Sequence, residues 1–133
     1  MMRGSDTAGP IVPGFDTPDL ARAIEALPTD VVDTLAFGAI QVGADGIVVY
    51  YSASERRLSG SGMRDRIGLD FFSRIAPCMD NADFRGRIER AIAAGAFDLE
   101  FTHVGDFEDR DRELTVRVQP ASAGGYWIFL RRE

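Results

Sequence analysis

Leu35-Ala36-Phe37-Gly38-Ala39-Ile40-Gln41-Val42 reads as a β-strand, Ala44-Asp45-Gly46 as a tight turn, and Ile47-Val48-Val49-Tyr50-Tyr51 as the returning strand. Asp-Gly tolerates positive φ, so two apolar runs joined through it form a hairpin. Short helical stretches follow over residues 52–59 and 63–67, broken by Gly60-Ser61-Gly62. Gly68 then punctuates the chain before the apolar pair Phe71-Phe72. Asp80 or Asn81 can cap the next helix, whose expected buried stripe is Phe84, Ile88, Ala91 and Ile92 and whose end is Gly95. Three further strands are expected over 97–104, 113–119 and 126–131, with a charged loop over 106–112.

Upstream of the hairpin, residues 1–14 are rich in Gly and Pro and read as an arm. Thr17-Pro18-Asp19 looks like a helix start, with Thr17 as N-cap and Pro18 at the first helical position. Leu20, Ile24 and Leu27 follow at helical spacing until Pro28, and a second helical turn is expected over 30–34. A hairpin, then helices, then a three-strand meander is an α+β domain with an antiparallel sheet. Five or six strands with a helical crossover on one face is the PAS arrangement, in which that face forms the ligand pocket. We therefore expect an arm and helical cap over 1–34 and a PAS core over 35–133.

With 133 residues, 45% of them hydrophobic, the chain suits one domain with one real core. No apolar run approaches the ~20 residues of a membrane span, and the start Met1-Met2-Arg3-Gly4-Ser5-Asp6 lacks a signal-peptide core. The expected location is the cytoplasm. A net charge of −6 argues against nucleic acid or an anionic membrane surface as the partner. Basic pairs such as Arg56-Arg57 and Arg131-Arg132 read as solvated faces. One cysteine excludes an internal disulfide, and one histidine, His103, disfavours a protein-only zinc site. All 15 basic residues are arginine, so no lysine can tether a cofactor as a Schiff base.

The most reactive side chain left for holding a ligand is Cys78, in Phe71-Phe72-Ser73-Arg74-Ile75-Ala76-Pro77-Cys78-Met79-Asp80. Tyr51 and Glu55 stand at i and i+4 where a strand passes into a helix, and Ser59 lies four residues further on the same face. A thiol, a phenol and a carboxyl that meet make a pocket for a tethered, ionisable ligand. By themselves these residues also fit a blander reading: a small buried cysteine, and a helix start with a solvated glutamate.

The segment Leu35 to Gln41, the Tyr51 and Glu55 pair, Phe71-Phe72 with Ala76-Pro77-Cys78-Met79-Asp80, and Tyr126-Trp127-Ile128-Phe129 together resemble the photoactive yellow protein family. The likeness runs from about Phe15 to the C-terminus. It implies a blue-light receptor, not an enzyme. It implies p-coumaric acid (4-hydroxycinnamic acid) held as a thioester on Cys78. It implies that Tyr51 and a protonated Glu55 hold the phenolate oxygen, that Ser59 supports Tyr51, and that Glu55 is the proton donor. Light then isomerises the double bond, the phenolate takes a proton, and the protein partly unfolds into a signalling state. Ile40, Phe71, Ala76 and Pro77 fall at pocket positions under the same likeness.

The likeness also has gaps. A pocket arginine of the family falls at Ser61, and Arg56, Arg57 and Arg64 are the candidates to replace it. A pocket methionine falls at Asp109, while Phe107 keeps an aromatic ring in that loop. His103 and Gly105 fall where relatives have rings. A charged loop there is expected to slow recovery in the dark. The competing readings are a PAS module with another cofactor or none, and a thiol hydrolase built on Cys78 and His103. The flavin-sensor signature Asn-Cys-Arg-Phe-Leu-Gln is absent, and His103 is the one candidate haem ligand. The downstream partner, or a fused output domain, is not written in these residues.

Overall fold

The turn at Gly46 (φ 86°) reverses the chain between β1 (Gly38–Val42) and β2 (Val48–Tyr51), and the Gly46 N–H donates to the Gly43 carbonyl at 2.9 Å. These and all other coordinates come from a computed structural model, which describes residues 12–59, 66–95, 97–105 and 112–132. Ile40 faces Tyr51 and Gln41 faces Tyr50 across the hairpin. The meander follows as β3 (Leu99–Val104), β4 (Glu113–Pro120) and β5 (Tyr126–Arg132). The five strands are antiparallel, in the order β2-β1-β5-β4-β3.

β5 lies in the middle, and Tyr126, Trp127, Ile128, Phe129 and Leu130 are all buried. An unbroken apolar run is what a strand covered on both faces requires. Side chains alternate across a strand, and the two parities enter two separate cores. Tyr126, Ile128 and Leu130 join Ile40, Val42, Val116, Phe71 and Phe84 on one face. Trp127 and Phe129 join Phe15, Leu20, Ile24, Phe37 and Ala39 on the other.

The second face carries the cap, α1 (Leu20–Glu25) and α2 (Thr29–Val32). The Ala21 N–H donates to Gln119 Oε1 at 2.7 Å. Arg117 reaches through the layer to the carbonyls of Phe15 and Thr17, at 2.8 Å each, while pairing with Asp98. Thr17 does not cap α1, as the sequence suggested. Its hydroxyl accepts instead from the Gly14 N–H, and Asp19, at φ 52°, occupies the cap position.

The first face carries α3 (Ala53–Ser59), a π-type turn (Phe71–Ile75), a 3₁₀ turn (Pro77–Met79) and α4 (Arg85–Ala94). α4 ends at Gly95 (φ 106°) as expected, but Ile92 is 48% exposed and drops out of the stripe that Phe84 and Ile88 form. The first strand is shorter than its apolar run, since 35–37 precede β1 and Leu35 and Phe37 serve the cap core. Of the expected helix over 63–67, residues 63–65 lie outside the described residues. Arg66 and Ile67 are non-helical, with Leu69 N–H donating to Arg66 O. Ile47 lies just before β2: it forms an isolated bridge with Asp70, and its carbonyl accepts from the Gly43 N–H at 2.8 Å across the turn.

Candidate functional site

α3 leaves the end of β2 under the control of serine side chains. Ser52 Oγ accepts from the backbone N–H groups of Ala39 (3.1 Å) and Glu55 (3.0 Å). Ser54 Oγ lies 2.7 Å from Ser52 Oγ and donates to the Phe37 carbonyl at 2.9 Å. All three residues, Ser52, Ser54 and Glu55, are fully buried. From below, the Ala53 N–H donates to Asp33 Oδ1 at 2.9 Å, so the cap supplies a helix-capping carboxylate to α3.

The i, i+4 spacing has the expected consequence. Tyr51 (3% exposed), Glu55 (0%) and Ser59 (4%) are all buried, not spread over a solvated helix start. Tyr51 belongs to the same core as Ile40, Phe71, Ala76 and Met79. Arg56 lies with its guanidinium carbon 6.0 Å from the Tyr51 ring centroid, and Arg57 turns away to the Leu35 carbonyl. Of the two described candidates to replace the pocket arginine that the resemblance implies, Arg56 lies near Tyr51 and Arg57 does not. Arg64 lies outside the described residues, as do Ser61, Phe107 and Asp109.

Glu55 abuts backbone. A Cβ on Gly38 would fall 1.7 Å from Glu55 Oε1, so the carboxyl occupies space that any other residue at 38 would fill. Both carboxylate oxygens accept from Arg132, Oε1 from Nη1 and Oε2 from Nη2, at 2.8 Å each. The side-chain exposures are 1% for Arg132 and 0% for Glu55. Arg132 corrects the reading of Arg131-Arg132 as a solvated pair. The strand parity that buries Ile128 and Leu130 turns Arg132 inward. Arg131, of the other parity, lies over the Phe15 ring at 4.7 Å. That alternation was the available signal.

Cys78 is placed by its neighbours. Asp70 Oδ1 accepts from the Ser73 N–H at 3.0 Å, which starts the π-type turn, and the Ala76 N–H closes it on Phe71 O at 2.8 Å. The bond from the Ser73 N–H, ahead of the other contributions, holds the Asp70 carboxyl below its ordinary value. Pro77 then opens the 3₁₀ turn; Ala76 before it and Met79 at its end are fully buried, while Pro77 and Cys78 are exposed. Asn81 donates to the Cys78 carbonyl (3.0 Å) and accepts from the N–H groups of Asp83 and Phe84 (3.0 Å each). The sulfur is thus accessible on a turn pinned at both ends. His103 is elsewhere in chemical terms: it packs edge-on against Phe84, and burial lowers its imidazole below the usual value, with Asp83 opposing.

A thiol, a phenol and a carboxyl are the residue types that a covalently held, ionisable group calls for; Cys78 is exposed, while Tyr51 and Glu55 are buried. Among the described residues no cluster of His, Cys, Asp and Glu is arranged to hold a metal ion. No helix there is long and apolar enough to cross a membrane.

No protein-family model matches the chain. It is 36% identical over 119 residues to the photoactive yellow protein of Rhodothalassium salexigens, covering 89% of this chain and 95% of that one. It is 32% identical over 119 residues to the photoactive yellow protein of Halochromatium salexigens, with the same coverage. Among solved structures, the photoactive yellow protein domain of the sensor histidine kinase Ppr from Rhodospirillum centenum superposes with a TM-score of 0.73 at 36% identity. That match covers 84% of this chain and 98% of the domain. A PAS domain from Colwellia psychrerythraea, at 12% identity and a TM-score of 0.59, shares the fold alone. With a PAS sheet, a buried Tyr51 and Glu55, and two curated relatives above 30% identity across most of its length, this chain belongs to the photoactive yellow protein family.

Proposed function

We propose that this chain is a blue-light receptor carrying p-coumaric acid as a thioester on Cys78, with an N-terminal arm and helical cap over 1–34 and a PAS core carrying the chromophore pocket over 35–133. The observation that carries this reading is the pairing of an exposed thiol on a pinned turn with a phenol and a carboxyl buried in the adjoining core. When bound, the group supplies a double bond that light isomerises and a phenolate that takes up a proton.

The chain's own residues do the rest. Pro77 fixes the backbone before Cys78. Tyr51 donates its hydroxyl to the phenolate oxygen, with Ser59 in support. Glu55 can donate there only while it carries a proton, and it is the donor that gives that proton up. Ile40, Phe71 and Ala76, all buried, keep water from this end. Any output domain or downstream protein reads the opened state. The chain acts as a cytoplasmic signalling receptor, not as an enzyme, and its acidity disfavours nucleic acid and membrane partners.

Reconstitution with activated p-coumaric acid tests this. The expected product is yellow, with one blue absorption band that base hydrolysis releases, and Cys78→Ala protein should keep no colour after denaturation. Colour that survives denaturation on Cys78→Ala removes the tether. A wild-type chain that stays colourless favours a PAS module with another cofactor or none.

A further inference from the structure

Arg132 is a buried charged group, in direct contact with Glu55, that the mechanism does not use. Even-numbered residues of β5 enter the core beneath α3, and Arg132 continues that row. It ends on Glu55 with two parallel 2.8 Å hydrogen bonds, both side chains being almost wholly withdrawn from solvent. Glu55 has little freedom to swing away. Its N–H is held by Ser52 Oγ, and its carboxyl lies against Gly38.

A guanidinium offers donors and no acceptor. A fork gripping both oxygens is therefore the geometry of a carboxylate, not of a protonated acid. From this we propose that Arg132 is a positioning residue for Glu55: it takes up the carboxylate each time Glu55 gives its proton away. The proposal rests on the reading of Glu55 as proton donor. The proton leaves a Glu55 oxygen for the phenolate oxygen of the bound group, and the negative charge left behind is paired at once with Arg132. An orphaned buried carboxylate is strongly destabilising, whereas a paired, hydrogen-bonded one is tolerated. Arg132 thus favours proton release and limits how far the protein opens as a result.

The test begins on the chromophore-free chain, where infrared spectroscopy distinguishes a protonated carboxylic acid from a carboxylate. Wild type and Arg132→Lys are expected to lack a carbonyl band assignable to Glu55. Arg132→Gln should gain one, and Glu55→Gln/Arg132→Gln should lose it again. A Glu55 carbonyl band in chromophore-free wild type overturns the proposal.

The pigmented proteins supply the second arm. Illumination should strip protection from more backbone amides in Arg132→Gln than in wild type, and equal losses count against the role. Should Arg132→Gln fail to fold, the double variant decides. Recovery of folding in the double supports pairing, and equal loss in both assigns Arg132 another task and overturns it. Failure of wild type to take up pigment sinks the receptor reading and with it the part Arg132 plays in proton release, whereas the carbonyl band, read without pigment, overturns the pairing of Glu55 with Arg132 by itself.

Discussion

Gly38 sets the position of Glu55 as firmly as any hydrogen bond does. An added methyl at 38 would overlap Glu55 Oε1, so the carboxyl must leave its seat beside Arg132. Gly38→Ala is expected to cost about 1–3 kcal/mol, the usual range for overpacking, and urea unfolding with an unchanged m-value would register it. A cost near zero would mean that Glu55 has an alternative site. Glu55→Gln keeps the shape and removes the charge, leaving Arg132 facing an amide in a dry site. It should cost the chromophore-free chain about 3 kcal/mol or more, because one half of a buried pair is left uncompensated. The same variant should still bind pigment and shift its absorption, since an amide replaces the acid as donor. An unshifted band would mean that Glu55 does not touch the bound group. At this scale the spacing put Tyr51, Glu55 and Ser59 on one face, but only the family resemblance, not the spacing, singled them out from a solvated helix start. The sequence did not expose Arg132, because a charged pair near a chain end reads as solvated until the strand's parity is known, nor Gly38, whose role appears only once Glu55 lies on it.

Among the elements, the cap is fastened by carboxylate contacts as well as by the apolar faces of its short helices. Glu25 ends α1 and accepts from the Trp127 indole N–H (2.9 Å), the Ser122 N–H (3.0 Å) and the Ser122 hydroxyl (2.6 Å). Burial pushes the Glu25 carboxyl up, but these donors and Arg22 outweigh it and hold it below the ordinary value. Asp98 is held low chiefly by its hydrogen bond from Arg117, which anchors the chain before α1. A carboxyl with a depressed folded value contributes stability above its unfolded value, about 4 for such groups. That contribution is lost as pH falls through the folded value. The cap should therefore loosen below about pH 4, seen as a change in Trp127 fluorescence, and Glu25→Gln should flatten that acid limb. An identical acid transition in Glu25→Gln would place the sensitivity elsewhere. Element identity was legible where local chemistry dominates, as in the Asp45-Gly46 turn and the Gly95 helix end. It was misleading at Thr17, whose hydroxyl is drawn to Gly14, and at 35–37, where an apolar run serves the cap instead of a ladder.

For the molecule as a whole, the sheet separates two cores, and α3 is the element that touches the business of both. Its buried face carries Glu55, while its first N–H is capped by Asp33 at the end of α2. The same Asp33 oxygen accepts the Tyr50 hydroxyl at 2.5 Å; burial, and then that carboxylate, push the phenol far above its ordinary value and keep it a donor. Tyr50 in turn packs against Trp127, which bonds to Glu25 of α1. Any movement of α3 that follows charge rearrangement at Glu55 therefore pulls on a contact the cap itself provides. Asp33→Ala removes it and should cost about 1–2 kcal/mol as a lost cap plus a phenol left to its longer contact with the Thr29 carbonyl (3.4 Å). Hydrogen exchange on the pigmented protein is the sharper readout. In wild type, light should lower protection in α1 and α2. In Asp33→Ala those amides should exchange faster already in the dark, and the difference made by light should shrink. If the light-induced difference stays the same in the variant, the cap is informed by some route other than α3, and the two cores communicate through the sheet instead.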